Sequence, residues 1–143
     1  MIVLDASVVI AHLSSHDVHH EQASTLLRAY AHERFLVHPL TMTEILVGPI
    51  RVGRGEAAEH ALASLGIGEW MPPARSAARL ARLRVESGLK LPDCCVLDAA
   101  MVADARLATF DERLARAATE SGVDMVELGR PAAGRTAMHP GRP

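Results

Sequence analysis

Hydrophobic spacing along the chain switches repeatedly between the period of a strand and that of a helix. The opening IVLD is a short apolar run closed by an acid, and ASVVIAHL after it changes to helical spacing. SHDVHHEQASTLLRAYAHE sets Ala23, Leu26, Leu27 and Tyr30 three to four positions apart behind Ser15 or Asp17 as N-cap, predicting an amphipathic helix. FLVH reads as a second strand. PLTMTEILVGPI returns to helical character with Thr41 or Thr43 near its start, and GRGEAAEHALASLGI predicts another helix before EWM, a third short strand halted by Pro72 and Pro73. ARSAARLARLRVESG is a helix closing at Gly88, Pro92 opens the next, RLATF is a fourth strand, DERLARAATESG a helix ended by Gly122, and VDMVEL a fifth strand. This alternation predicts an α/β fold, a parallel central sheet of about five strands flanked on both faces by helices. From Gly129 onward, GRPAAGRTAMHPGRP has no period and reads as a flexible tail, so the expected organisation is one domain over residues 1–128 and a tail over 129–143.

Composition narrows this picture. A chain of 143 residues suits a single domain, and with 49% apolar but only 3% aromatic residues its core must be filled by Ala, Leu, Val and Met. The balance of 15 basic and 17 acidic residues excludes a polybasic nucleic-acid binder on total charge. Lys90 is the only lysine, the other basic residues being arginine, whose planar fork suits phosphate, although biased codon usage accounts for it equally well. Cys94 and Cys95 are neighbours and poorly placed to pair with each other, which fits a reducing cytosol. Asp5 interrupts the only apolar opening run and no stretch approaches a membrane span, so a soluble cytoplasmic protein is expected.

The segment LKLPDCCVLDAAMVADARLATFD is core-like yet holds Asp93, Asp98, Asp104 and Asp111. Buried carboxylates are costly unless paired, neutralised or bound to a cation. In open parallel sheets the functional crevice lies at the carboxyl ends of the strands, where Asp5 and Asp111 both fall. Asp93, in the first turn of its helix, can join them. Asp104 sits roughly 16 Å further along the same helix and cannot, and Asp98 points about 140° away, leaving it without a role. Glu44, in TMTEILVG, is either a helix N-terminal acid or a fourth member of the set. Hard oxygen ligands of this kind select Mg²⁺ or Mn²⁺.

The motifs MIVLDAS, TEI with Glu44, LPD with Asp93 and LATFDERL with Asp111, in this order and at these intervals over roughly residues 1–128, resemble the PIN-domain nucleases, specifically the VapC-type toxins of toxin–antitoxin systems. The resemblance implies a PIN-like three-layer fold, an acidic quartet of Asp5, Glu44, Asp93 and Asp111 that is both catalytic and metal-binding, and Mg²⁺- or Mn²⁺-dependent hydrolysis of RNA by one or two ions. It also implies homodimerisation and neutralisation by a small cognate antitoxin. Ser7 takes the family's small hydroxyl position after the first acid, where it can orient Asp5 or a metal-bound water, cap a helix, or do both. Asp98 and the Cys pair depart from the family pattern. The apolar face of the first two helices, with Val8, Val9, Leu26 and Leu27, is the expected seat for an antitoxin helix.

Other features take plainer readings. His16, His19 and His20 lack further ligands for zinc and read as a solvated helix start. Arg75, Arg79 and Arg82 form a solvated stripe, while Arg51 and Arg54 flank Gly53 in a loop that either is solvated or reaches RNA phosphates. A receiver domain would need a paired acid motif at the first strand and a late lysine, and a dehalogenase-like phosphatase a second acid where Ser7 stands. The remaining rival is a non-catalytic PIN-fold module that binds RNA or a partner, against which the presence of all four acids argues.

Overall fold

The structure, a computed structural model, describes residues 1–129, so the tail expected from Gly129 lies outside the described residues apart from Gly129 itself. The elements run β1 (Ile2–Leu4), α1 (Ala6–Leu13), α2 (His20–Ala29), β2 (Phe35–Val37), α3 (Pro39–Arg51), α4 (Gly55–Ser64), β3 (Ile67–Glu69), α5 (Ser76–Ser87), α6 (Leu91–Val102), β4 (Arg106–Ala108) and α7 (Glu112–Glu120). The strands form one parallel sheet in the order β3-β2-β1-β4.

Uninterrupted apolar strands such as IVL and FLV arise because both faces of this sheet are covered. Ile2, Leu4, Phe35 and Val37 point into a core shared with Val8, Val9, Leu26, Leu27 and Ile45 from α1, α2 and α3. Val3, Leu36 and Leu107 point the other way, against Val96 and Leu97 of α6 and Leu114 of α7. The period-2 side-chain alternation thus feeds two apolar layers, giving helix, sheet, helix.

Several boundaries differ from expectation. The third strand is Ile67–Glu69 rather than EWM, because Ile67 supplies the buried side chain; Trp70 N–H still donates to the Val37 carbonyl at 2.7 Å, extending the pairing beyond the strand. The fifth strand shrinks to one parallel bridge between Leu107 and Met125. Leu107 N–H donates to the Asp124 carbonyl and Val126 N–H to the Leu107 carbonyl, both at 2.9 Å, and the segment then leaves the sheet edge. α2 begins at His20 with His19 as N-cap, since Asp17 Oδ1 accepts the His19 N–H at 2.8 Å and holds a turn there. α3 starts at Pro39 because His38 Nδ1 accepts the Leu40 N–H at 3.0 Å, which leaves Thr41 and Thr43 inside the helix.

Two further expectations are corrected. Val8, Val9, Leu26 and Leu27 are buried in the chain's own core, so they cannot seat a partner's helix. Arg79 is not part of a solvated stripe: its Nε and Nη2 donate to Oδ1 and Oδ2 of the buried Asp98 at 2.9 and 3.0 Å, a two-point pair that joins α5 to α6 and neutralises the one buried aspartate of the segment from Leu89 to Asp111. Asp104 sits exposed beyond the end of α6 with φ of 49°, a left-handed conformation that Asp tolerates better than most residues.

Candidate active site

The residues that follow the four strands are Asp5, His38, Trp70 and Thr109, all buried. From β1 the chain builds the sheet in one direction through β2 and β3, then returns to place β4 on the opposite side of β1. The connections leaving β1 and β4 therefore part toward opposite faces, α1 to one layer and α7 to the other. This divergence opens a crevice at the carboxyl ends of β1 and β4, the position where open α/β sheets bind ligands.

Asp5 lies at that opening. Its Oδ2 accepts the Ser7 hydroxyl at 2.6 Å and the Thr109 hydroxyl at 2.7 Å. Among the described residues Oδ1 takes no hydrogen bond, so the carboxylate is fixed through one oxygen and presents the other. Ser7 Oγ in turn accepts the Phe110 N–H at 3.1 Å, and Thr109 Oγ1 accepts the Asp111 N–H at 3.0 Å. Asp111 caps α7, its Oδ1 accepting the Leu114 N–H at 2.9 Å. One network of two hydroxyls thus couples the acid after β1 to the acid after β4. Ser7 itself sits inside α1, whose N-cap is Asp5, so its hydroxyl serves the network and not a cap.

Glu44 comes from α3 and Asp93 from the first turn of α6, where Lys90 is the N-cap and the Asp93 side chain caps nothing. Partial desolvation, then the charges of Asp5 and Asp93, hold the Glu44 carboxyl above its ordinary value. Burial, then Asp5 and Asp111, raise Asp93, partly offset by Lys90 and Arg113. Glu44 is exposed, so solvent screens much of its share, and each of the two carboxyls is raised in part by other acids of the set.

The donor set fits a hard divalent cation: it is all carboxylate oxygen, and added positive charge relieves the repulsion that, after burial, helps to raise Glu44 and Asp93. Among the described residues no three His, Cys, Asp or Glu side chains are drawn together tightly enough to hold an ion on protein atoms alone. Mg²⁺ usually keeps several waters and needs no closed protein cage. The cysteines are not candidates, since both are buried and the Cys95 thiol is pushed up to about 11 by burial, then by Cys94, Asp98 and Glu44.

Arg51 and Arg54 are both exposed, Arg51 at the end of α3 roughly 10 Å along the helix axis beyond Glu44 and Arg54 at the N-cap of α4. The basic groups that face Asp93 are instead Lys90 and Arg113. Thr109 also escaped the sequence reading, although it stands two residues before Asp111 in LATFD, on the strand end beside Asp5. Among the histidines, His20 is engaged through Nδ1 with the Ala11 carbonyl at 2.9 Å and stacks with His12, while His16 is exposed.

The two hydroxyls give a graded expectation. Ser7→Ala and Thr109→Val each leave the acid in place but free its rotation, so each should lower the site's catalytic rate by about 10- to 100-fold, the range for losing a hydrogen bond that orients a ligand. Thr109→Val should cost more, because it removes the Asp111 contact as well. Rate constants for the two variants at saturating metal check the order.

Comparison with known proteins decides the family. The model of the PIN domain matches residues 2–120. This chain belongs to the PIN-domain family. PIN domains are in general metal-dependent nucleases. The fold is shared with solved structures of low identity. A toxin–antitoxin complex from Klebsiella pneumoniae is similar at 23% identity and a TM-score of 0.67, covering 78% of this chain and 87% of that one. VapBC2 from Rickettsia felis, bound to a DNA fragment from its promoter, is similar at 15% identity and 0.67, covering 88% and 98%. FitAcB from Neisseria gonorrhoeae is similar at 20% identity and 0.66, covering 89% and 97%. No curated protein matches the sequence. Among the described residues no helix of this PIN domain is long and apolar enough to cross a membrane.

Proposed function

We propose that this PIN domain is a Mg²⁺- or Mn²⁺-dependent ribonuclease that acts in the cytoplasm as the toxic component of a toxin–antitoxin pair. What supports the reading is the hydroxyl network that ties Asp5 to Asp111 at the carboxyl ends of β1 and β4, together with Glu44 and Asp93, whose carboxyls are raised by burial and in part by other acids of this set. The fold shared with a toxin–antitoxin complex supports the toxin role and a small antitoxin as partner.

In this mechanism Asp5, with Oδ2 locked by Ser7 and Thr109, and Asp93, whose side chain is free of capping duty, would hold a divalent cation directly. Glu44 and Asp111 would complete the set directly or through water. When bound there, such a cation would supply an activated water and neutralise phosphoryl charge. Lys90 and Arg113 hold positive charge at the rim beside Asp93, where a flanking phosphate of the RNA passes. The Asp111 carboxylate keeps its place because the Leu114 N–H of α7 donates to its Oδ1.

Induced expression in a bacterial host tests the toxin role. Wild type should arrest growth within the period in which total RNA is fragmented, and Asp93→Asn should do neither. Full toxicity in Asp93→Asn contradicts the reading.

A further inference from the structure

Beside the acidic crevice the chain builds an aromatic stack. Phe110 lies between Thr109 and Asp111, and its N–H donates to Ser7 Oγ at 3.1 Å, so its placement is tied to the network that holds Asp5. Its ring packs partly on the core, and the imidazole of His19 lies over it with 4.3 Å between ring centroids and 11° between planes. His19 is exposed, yet three contacts hold it. Its N–H donates to Asp17 Oδ1 at 2.8 Å, its Nδ1 pairs with Gln22 Oε1 at 3.0 Å, and its ring rests on Phe110. Gln22 Nε2 donates to the Gly129 carbonyl at 2.7 Å, which turns the amide oxygen toward His19 and makes Nδ1 the donor. A surface histidine is ordinarily free to rotate; this one is ordered in advance, and ordering is much of what weakens binding at exposed side chains.

We propose that the His19–Phe110 stack is a platform for a nucleobase of single-stranded RNA, placed so that a base flanking the scissile phosphate stacks on the outer face of His19 and fixes which phosphate enters the acidic crevice. This rests on the nuclease reading above. The position suits the role: Phe110 separates two residues of the network, so the ring that would carry the base rests on the same loop that carries Asp111. Aromatic stacking accepts every base, so the platform sets register and not sequence. A ring that merely shields Phe110 from water would have no reason to have its plane set by a hydrogen bond from Nδ1 to Gln22 Oε1.

The test uses the full chain and a short single-stranded RNA whose cut site has been mapped in Mn²⁺. His19→Ala should raise KM by about tenfold with kcat changed less than about twofold, His19→Phe should hold KM near wild type, and His16→Ala, an exposed change in the same turn, should alter neither. An abasic nucleotide beside the cut should weaken wild type by the same factor and His19→Ala no further. Binding gives a second readout that needs no cleavage: with 2-aminopurine at that nucleotide and Ca²⁺ in place of Mn²⁺, wild type and His19→Phe should quench its fluorescence and His19→Ala should not. Equal KM for wild type and His19→Ala, an abasic penalty of the same size in both, or equal quenching in all variants overturns the platform while leaving the nuclease standing. A wild type that leaves RNA uncut in Mn²⁺ but quenches through His19 ends the nuclease reading and supports the platform.

Discussion

Asp5→Asn and Asp93→Asn are each expected to lower metal-dependent RNA cleavage by more than about 100-fold, beyond the range for loss of a supporting hydrogen bond. The argument differs at the two positions. At Asp5 the amide oxygen can still accept the Ser7 and Thr109 hydroxyls, so the local fold survives, but the group then presented to the crevice is an amide NH₂, which cannot ligate a cation and repels one. At Asp93 the side chain makes no capping bond, so substitution disturbs α6 little and the loss is electrostatic. Both variants should keep a cooperative unfolding transition. Cleavage time courses with purified variants, read beside their melting curves, check the expectation; a Asp5→Asn or Asp93→Asn protein with wild-type rates removes that residue from the site.

The second large effect is on stability. Glu44 and Asp93 have folded-state pKa values above their ordinary ones, so the folded protein binds protons there more tightly than the unfolded chain. By linkage, stability of the metal-free protein falls as pH rises through the window between the ordinary values, 4.5 for Glu44 and 3.8 for Asp93, and the raised ones, and the cost is fully present at neutral pH. Glu44→Gln removes one repelling charge. In EDTA at neutral pH it should melt above wild type by roughly 0.5 kcal/mol, a small figure because Glu44 is screened by solvent, and the difference should shrink in acid and close once pH falls below the ordinary 4.5. Metal reverses the order. Mn²⁺ at about 100 times its Kd should stabilise wild type by ~2.7 kcal/mol, a rise in Tm of roughly 10 °C for a domain of this size. Glu44→Gln, with a weaker site, should gain less. Melting both proteins with EDTA and with excess Mn²⁺, at neutral and mildly acidic pH, tests the two signs together, and a Glu44→Gln protein that melts lower in EDTA yet gains as much from Mn²⁺ places Glu44 outside the set.

The parts of this molecule that were legible in its sequence are those set by short-range patterns. The runs IVL and FLV, free of polar residues, announce strands covered on both faces, and helix ends at Gly88 and before Pro92 follow from backbone chemistry. Asp5 and Asp111 stood out because an acid at a strand end has a known place in a parallel sheet. Partnerships across long separations were not legible. Nothing local to Asp98 announces Arg79, 19 residues away, as its partner, and nothing in LATFD shows that Thr109 will meet Asp5 across 104 residues, since both depend on sheet order. Val8 and Leu26 looked like a free apolar face because periodicity reports which side of a helix is apolar and not what covers it. The fifth strand is shorter than its pattern predicts for a related reason: VDMVEL has strand character, yet only Met125 finds a partner at the sheet edge.

Cleavage of single-stranded RNA by the purified chain in Mn²⁺, in EDTA, and in EDTA followed by excess Mn²⁺, with the new ends identified chemically, tests the central claim most directly. An acidic site that directs water at phosphorus with a divalent cation predicts fragments in Mn²⁺, none in EDTA, and recovery on adding Mn²⁺ back, with a phosphomonoester on one side of each cut and a hydroxyl on the other. Cleavage that persists in EDTA, or ends that carry a 2′,3′-cyclic phosphate from attack by the RNA's own hydroxyl, would contradict it.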